Sequence, residues 1–257
     1  KRFLEEILVK SLGFSPLVGV LGHRQVGKTT LTSRICETYV TFDDEDILMA
    51  AESSPKEFIR QFKGVKNVID ECQMVPRLFP ALKEHVRVHK RPGQFILTGS
   101  VRFTSRKAIR ESLTGRIVNH ELLPMTVSEL RAEIPAISVL KLCKSESLSQ
   151  FLDFHSALIK KAQEKTADLN KYFVHGGLPS VCFIRDVMTR RQRISEQLAT
   201  ILDRDLRLVY PTSLALGQLM EFVRCLAKNE GKPIRYSSIK RETGITEKKK
   251  KKLLYAL

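Results

Sequence analysis

A short segment near the amino end, Gly-His-Arg-Gln-Val-Gly-Lys-Thr at positions 22–29, constrains the fold more than any other part of the sequence. It fits the pattern Gly-x-x-x-x-Gly-Lys-[Ser/Thr], in which main-chain N–H groups surround a phosphate. An apolar run at 17–21 precedes it, and a helical pattern follows it. Strand, loop and helix in this order predict a phosphate site, and an ordinary glycine-rich turn is the less favoured interpretation.

Each residue type in this loop has a predicted task. The glycines let the main chain approach a phosphate closely. Lys28 is predicted to reach the β- and γ-phosphates, and the Thr29 hydroxyl to bind Mg²⁺. We therefore predict that a nucleotide binds along Gly22, His23, Arg24, Gln25, Val26, Gly27, Lys28, Thr29 and Thr30.

A second apolar run, at 65–69, ends in the adjacent carboxylates Asp70 and Glu71. Phosphoanhydride hydrolysis needs a bound Mg²⁺ and an oriented water, and carboxylates at the tip of a neighbouring strand can serve both needs. We predict that Asp70 supports Mg²⁺ and that Glu71 accepts a proton from the attacking water. A strand followed by a helix cap is the alternative interpretation.

A third apolar run, at 94–97, turns polar at Thr98-Gly99-Ser100. A hydroxyl at this end of a strand can contact a γ-phosphate, so Ser100 is the predicted sensor and Thr98 the alternative. A simple turn explains the same segment equally well. The following helical pattern carries cations that could neutralise charge in the transition state or lie on the surface: Arg102, Arg106, Lys107 and Arg110.

Strand and helix patterns alternate from residue 17 to 122, which predicts an α/β fold with a parallel sheet covered on both faces. The acidic run 43–46 is interpreted as the cap of a helix at 47–62 rather than a metal site. Beyond residue 130 the patterns are helical, with breaks at 176–179 and at Pro211.

The net charge of +16 favours polyanionic partners. Residues 190–257 carry 16 Lys and Arg against 7 Asp and Glu, so this region is either a nucleic-acid surface or a solvated charged face.

No run of apolar residues is long enough to span a membrane, and no signal-peptide cleavage site follows the amphipathic amino-terminal segment. The five cysteines are scattered, which is typical of reduced thiols in a cytoplasmic protein. The six histidines have no zinc-ligand spacing and are interpreted as structural or solvated. The missing initiator Met and the end inside a helical pattern lead us to expect a piece of a longer protein.

Several segments, in this order, resemble the bacterial and archaeal AAA-type ATPases of the STAND-like branch, in which the core is followed by a winged helix and a restriction-endonuclease-like domain. They are Gly22-His23-Arg24-Gln25-Val26-Gly27-Lys28-Thr29-Thr30-Leu31, Tyr39-Val40-Thr41-Phe42-Asp43, Ile69-Asp70-Glu71-Cys72-Gln73, Ile96-Leu97-Thr98-Gly99-Ser100, Glu111-Ser112-Leu113-Thr114-Gly115-Arg116, Leu123-Pro124-Met125-Thr126 and Gly176-Gly177-Leu178-Pro179.

The resemblance implies an α/β P-loop NTPase core of the AAA type with the phosphate-loop strand at its centre. It implies ATP rather than GTP, and the sequence has no Asn-Lys-x-Asp guanine signature. It also implies that Pro179 contacts the adenine and that Arg116 acts on the nucleotide of its own or a neighbouring molecule.

Residues 235–247 are similar to the family's helix-turn-helix, with residues 238–242 as its first helix, Gly244 as the turn and Thr246 as the cap of the second helix. Residues 248–252 would then lie on a recognition helix that binds duplex DNA. Lys250 replaces an apolar residue of the family, and we expect it to extend outward. The predicted domains are a P-loop ATPase core at 1–130, a helical lid at 131–212 and a truncated winged helix at 213–257.

The sequence thus predicts an ATP- and Mg²⁺-dependent ATPase, with DNA as a possible further partner. A nucleotide-dependent switch with slow turnover is the main alternative. A DNA-binding protein with a vestigial nucleotide site is less favoured, because every catalytic residue type is present. A small-molecule kinase shares the loop, but no acceptor site is recognisable.

Overall fold

The computed structural model describes residues 2–99, 113–132, 146–164, 166–232 and 243–256. Two compact units divide the chain, Lys1–Ile184 and Arg185–Leu257. The predicted lid, residues 131–212, is split between them, so the division into core, lid and winged helix stays a prediction.

A five-stranded parallel sheet forms the centre of the first unit. Its strands are β1 (Leu17–Leu21), β2 (Thr38–Thr41), β3 (Asn67–Asp70), β4 (Phe95–Gly99) and β5 (Ile117–Glu121). They lie in the order β2-β3-β4-β1-β5, and every pairing is parallel. The expectation of a central phosphate-loop strand needs correction, because β4 is in the middle and β1 is next to the edge strand β5.

Helices connect and cover these strands. They are α1 (Leu4–Leu12), α2 (Lys28–Thr32), α3 (Glu45–Ser53), α4 (Pro55–Arg60), α5 (Leu78–Val88), α6 (Val127–Leu130), α7 (Leu148–Glu164), α8 (Thr166–His175) and α9 (Pro179–Cys182). A 3₁₀ turn, Cys72–Met74, follows β3.

Two apolar clusters cover the faces of the sheet, since alternate side chains of a strand point to opposite faces. One joins Leu17, Ile69 and Leu97 to the helices α3, α4 and α5. The other joins Val18, Val68 and Ile96 to α1 and α2. Strands buried on both faces read as continuous apolar runs, which is why the sheet is recognisable from the sequence.

The acidic run caps a helix, as predicted, because the Asp44 side chain accepts from the main-chain N–H of Asp46 and Ile47 at 3.0 and 3.2 Å. The single helix expected at 47–62 is wrong. The helix ends before Ser54, and a second helix begins at Pro55. Proline suits the first position of a helix, because an N–H group at that position has no acceptor within the helix.

The second unit is helical in its described residues. It contains α10 (Val187–Thr200), a π-helical segment (Ile201–Asp205), α11 (Leu206–Val209), α12 (Leu216–Lys228) and α13 (Glu247–Ala256). An apolar cluster around Leu202, Leu219, Phe222 and Leu253 holds these helices together. No helix among the described residues of either unit has the length and apolar character that crossing a membrane requires.

Candidate functional site

The loop 22–29 connects β1 to α2 and has the backbone that close phosphate approach demands. Gly22 and Gly27 have φ angles of 153° and 95°, which side chains rarely tolerate. A Cβ atom on Gly22 would also collide with the main-chain oxygen of Leu122. Helix α2 begins directly at Lys28, so its free N–H groups and positive dipole end face the loop.

Lys28 lies inside the curve of this loop. Its side chain is buried, with 6% of the residue exposed, and Nζ donates to the main-chain oxygens of Gly22 and His23, both at 3.0 Å. These contacts hold the ammonium group inside the loop. Thr29, Thr30, His23 and Gln25 are exposed around it.

Asp70 is the best-connected acceptor of the site. The hydroxyls of Thr29 and Tyr39 donate to Oδ2 at 2.9 and 2.6 Å. The Thr98 hydroxyl and the main-chain N–H of Glu71 donate to Oδ1, the latter at 2.9 Å. Strands β3 and β4 and helix α2 therefore converge on one carboxylate at the carboxyl edge of the sheet. Thr98, the alternative γ-phosphate sensor, is already used in holding Asp70.

Tyr39, on the edge strand β2, was not predicted as a site residue. Burial, followed by the hydrogen bond to Asp70 and the charge of that carboxylate, raises the pKa of its phenol. The phenol of Tyr39 therefore keeps its proton at neutral pH and donates it to Asp70. Its place beside Asp70 depends on strand pairing between β2 and β3, which local sequence does not report.

Glu71 is next to Asp70 and 8% exposed. Its φ of 54° lies in the left-handed region, which is uncommon for a residue with a side chain and often marks a functional site. The Gln73 side-chain amide donates to Glu71 Oε2. Glu71 thus has the position expected of it, directly beyond the strand that presents Asp70.

The hydroxyl oxygen of Thr29 and the carboxylate oxygens of Asp70 are ligands of the kind that suit a magnesium ion. Magnesium prefers a few protein oxygens together with water and phosphate oxygens. No cluster of three or more His, Cys, Asp or Glu residues occurs in the described part of the chain. A site made of one hydroxyl and one carboxylate would therefore depend on a nucleotide for its remaining ligands.

The segment 176–179 lies against the phosphate loop, although it is about 150 residues away in sequence. Leu178 packs into the cluster that contains Val26 and Leu31. A Cβ atom on Gly27 would be 3.9 Å from Pro179 Cγ. The main-chain oxygen of Gly177 accepts from the N–H of Met125 at 2.7 Å. These contacts place Pro179 beside the loop, and its contact with adenine stays a prediction.

Arg2 also contacts the loop and was missed from the sequence, where a lone arginine near a chain end carries no signal. Its guanidinium donates to Val26 O at 3.0 Å, to Glu129 Oε1 at 3.1 Å and to Leu123 O. Glu129 also accepts from the N–H of Phe3 and of Thr126, at 2.7 and 2.9 Å. Burial alone would raise the pKa of Glu129, but these N–H groups and Arg2 hold it below the ordinary value. The pair joins the amino-terminal segment and α6 to the phosphate loop.

Arg116 is at the opposite edge of the sheet. It precedes β5, whose first residue pairs with the first residue of β1, whereas the loop follows the last residue of β1. The five residues of β1, about 16 Å of strand, separate the end of the sheet near Arg116 from the end that carries the phosphate loop. The structure therefore does not bring Arg116 to the nucleotide site of its own molecule. Ser100 and the cations at 102, 106, 107 and 110 lie outside the described residues.

A separate basic surface occurs on α13 in the second unit. Lys248, Lys249, Lys251 and Lys252 are exposed. Gly244, with φ 68°, precedes the helix as the predicted turn does, whereas the expected first helix at 238–242 lies outside the described residues. The expectation that Lys250 extends outward is wrong, because it is fully buried. It occupies the inward helix position at which the resemblance implies an apolar residue.

Two segments of the chain match known families. Residues 15–131 match the model of a family described as an AAA domain, and residues 166–257 match a family described as a domain of unknown function. Residues 15–131 are therefore similar to an ATPase-like domain. This segment includes the phosphate loop, Tyr39, Asp70 and Glu71, whereas Arg2, the segment 176–179 and the lysines of α13 lie outside it.

Curated relatives occur in a bacterium and in an archaeon. An uncharacterized protein of Mycobacterium tuberculosis is 33% identical over 126 residues, which cover 48% of this chain and 28% of that protein. An uncharacterized protein of Methanocaldococcus jannaschii is 25% identical over 203 residues, which cover 72% of this chain and 41% of that protein. The chain thus spans less than half the length of these relatives.

Solved structures with some similarity include the Walker-type ATPase PABY2304 of Pyrococcus abyssi, at 17% identity, 98% coverage of this chain, 87% of that chain and a TM-score of 0.36. AMPPCP-bound DnaA from Aquifex aeolicus has 13% identity, 98% and 84% coverage and the same TM-score. At such scores these likenesses add nothing to the functional assignment.

Proposed function

We propose, from the similarity of residues 15–131 to an AAA domain, that this chain binds ATP with Mg²⁺ and hydrolyses the nucleotide to drive or gate a conformational change. The observation that supports this most is the hydrogen bond between Thr29 and Asp70 at 2.9 Å. It joins the end of the phosphate loop to the carboxylate at the end of β3, which is the pairing that a magnesium nucleotide site requires.

In the proposed reaction, Lys28 and the N–H groups of the loop bind the β- and γ-phosphates. Thr29 and Asp70 are the residues that would hold Mg²⁺, which neutralises charge on the phosphates when it is bound. Glu71 accepts a proton from water as the water oxygen bonds to the γ-phosphorus. The bond from that phosphorus to the bridging oxygen breaks, and ADP leaves with the electron pair. The role of Ser100 as γ-phosphate sensor is proposed from its place after β4.

The test of this function is a steady-state ATPase assay together with ATP binding by calorimetry. Glu71→Gln should retain ATP affinity and lose turnover by about a hundredfold or more, the usual scale for removing a general base. Glu52→Gln, an exposed residue of α3, is the matched control and should change neither quantity. Normal hydrolysis by Glu71→Gln would refute the assigned role.

The switch that the sequence left open gives a different result in the same assay. A switch would retain nucleotide tightly while the wild-type chain showed little turnover. We favour the enzyme, because Asp70 accepts from Thr29 and is followed directly by the carboxylate of Glu71.

A link to DNA is a second proposal, and the exposed lysines of α13 favour it. Four lysine ammonium groups on one short helix can neutralise phosphates of a duplex without reading its sequence. The proposal concerns the second unit alone.

A further inference from the structure

Gln73 has a side chain that neither the loop nor the magnesium residues require. It lies in the 3₁₀ turn after β3, is 6% exposed, and its Nε2 donates to Glu71 Oε2. A carboxylate accepts hydrogen bonds and cannot donate them when ionised, so the nitrogen of the amide must face Glu71 and the oxygen must face away.

The amide oxygen of Gln73 is buried and has no hydrogen-bond partner among the residues that the structure describes. Buried acceptors are normally satisfied, and the exceptions call for an explanation. Here the unsatisfied oxygen belongs to the same amide that fixes the proposed general base. Its described hydrogen bond is therefore the one from its nitrogen to Glu71.

A second glutamine makes the distinction clear. Gln94, at the amino edge of β4, is equally buried, and its oxygen also lacks a partner. Its nitrogen, however, donates to the main-chain oxygens of His89 and Arg91 at 2.7 and 2.6 Å, which ties down a loop. Gln94 therefore serves the fold, whereas the amide of Gln73 is directed at a functional carboxylate.

We propose that Gln73 is a positioning residue for hydrolysis, which holds the Glu71 carboxylate through its amide N–H. The inference rests on the proposed ATPase function. Glu71 takes a proton from the attacking water, whose oxygen bonds to the γ-phosphorus while the bond to the bridging oxygen breaks. Gln73 itself gains and loses no proton. Its hydrogen bond sets the direction of the Glu71 carboxylate.

The experiment compares Gln73→Met with Gln94→Met in the full chain, because methionine has a similar length and lacks the amide. ATP affinity, turnover number and thermal midpoint are measured for both variants. Gln73→Met should lose about tenfold or more in kcat with ATP affinity unchanged within about twofold, since orientation affects the reaction and not binding. Gln94→Met should lower the thermal midpoint and leave kcat unchanged at a temperature at which it is folded.

A combined variant tests whether Gln73 acts through Glu71. Adding Gln73→Met to Glu71→Gln should cause little further loss, because residues that act as a unit are not additive. Should Gln73→Met fail to fold, Gln73→Leu replaces it, since it also lacks the amide donor, and its kcat should also fall. Normal kcat in the folded variant, or full additivity, would overturn the inference alone. Absence of wild-type turnover would overturn the proposed function and the inference with it.

Discussion

The Thr29 hydroxyl donates to Asp70 Oδ2 at 2.9 Å, which joins the last residue of the phosphate loop to the tip of β3, two positions away from β1 in the sheet. Forty-one residues separate the two in sequence. Only the strand order β3-β4-β1 brings them together. The arrangement is the geometric basis of the magnesium site proposed above.

Replacing Thr29 by valine should weaken the response to Mg²⁺. The hydroxyl is lost at an exposed position where the change of shape is tolerated. We expect the Mg²⁺ concentration for half-maximal turnover to rise by about tenfold, equal to about 1.4 kcal/mol. A magnesium titration at fixed ATP measures it, with Ser33→Ala on the same exposed face as the control. An unchanged titration would remove Thr29 from the proposed magnesium ligands.

Replacing Glu129 by glutamine should change how stability depends on pH. The folded-state pKa of Glu129 is below its ordinary 4.5, so its stabilisation is present above 4.5 and is lost as pH falls through the folded pKa. At pH 7 the variant should be less stable by about 1–3 kcal/mol, because Arg2 loses a charged partner. Its further loss in acid should be smaller than that of the wild type.

Thermal unfolding between neutral and acid pH measures this effect. Glu84→Gln is the control, because Glu84 forms only an exposed pair with Arg87, and its removal should leave the unfolding curves unchanged. Parallel pH profiles for wild type and Glu129→Gln would show that the Arg2–Glu129 contact does not stabilise the fold.

Replacing Arg116 by alanine should lower turnover without lowering ATP affinity, because Arg116 would act on the nucleotide of a neighbouring molecule. Arg116 lies at the edge of the sheet opposite to its own phosphate loop, so any contact with nucleotide must come from another copy. Mixing Arg116→Ala with Lys28→Ala should then restore part of the turnover, because mixed assemblies contain intact sites. Normal turnover of Arg116→Ala would make it a surface charge.

Replacing the exposed lysines of α13 by glutamine should weaken binding to duplex DNA. Each phosphate contact that is lost should reduce the salt slope, d log K/d log [salt], by about 0.9 in magnitude. Binding of a short duplex by the wild type and by a variant with Lys248, Lys249, Lys251 and Lys252 replaced is measured at several salt concentrations. No binding by the full-length protein at low salt would remove the proposal.

The sequence predicted the parts of the site that are local in the chain. The loop 22–29, the carboxylates at 70 and 71 and the continuous apolar strands each carry their signal within a few residues. The expected place of Pro179 came from a resemblance, and the structure brings this residue next to the loop.

The contacts that the sequence could not predict depend on long-range packing. Tyr39 reaches Asp70 through the pairing of β2 with β3, and Arg2 reaches Val26 and Glu129 from the amino end. Lys250 misled for a related reason, because its charge argued for exposure while its helix position required burial. The resemblance left open whether Arg116 acts on the nucleotide of its own or of a neighbouring molecule, and the parallel register of β5 puts it at the edge of the sheet opposite to its own phosphate loop.

Calorimetric titration of the full chain with ATP in the presence of Mg²⁺ tests the central claim most directly. The account predicts saturable heat for the wild type and for Lys83→Ala, an exposed lysine of α5. It predicts a loss of affinity of about tenfold to a hundredfold for Lys28→Ala, the scale of one hydrogen-bonded charge. No heat for the wild type, or equal affinity for Lys28→Ala, would contradict the claim that this loop binds the triphosphate.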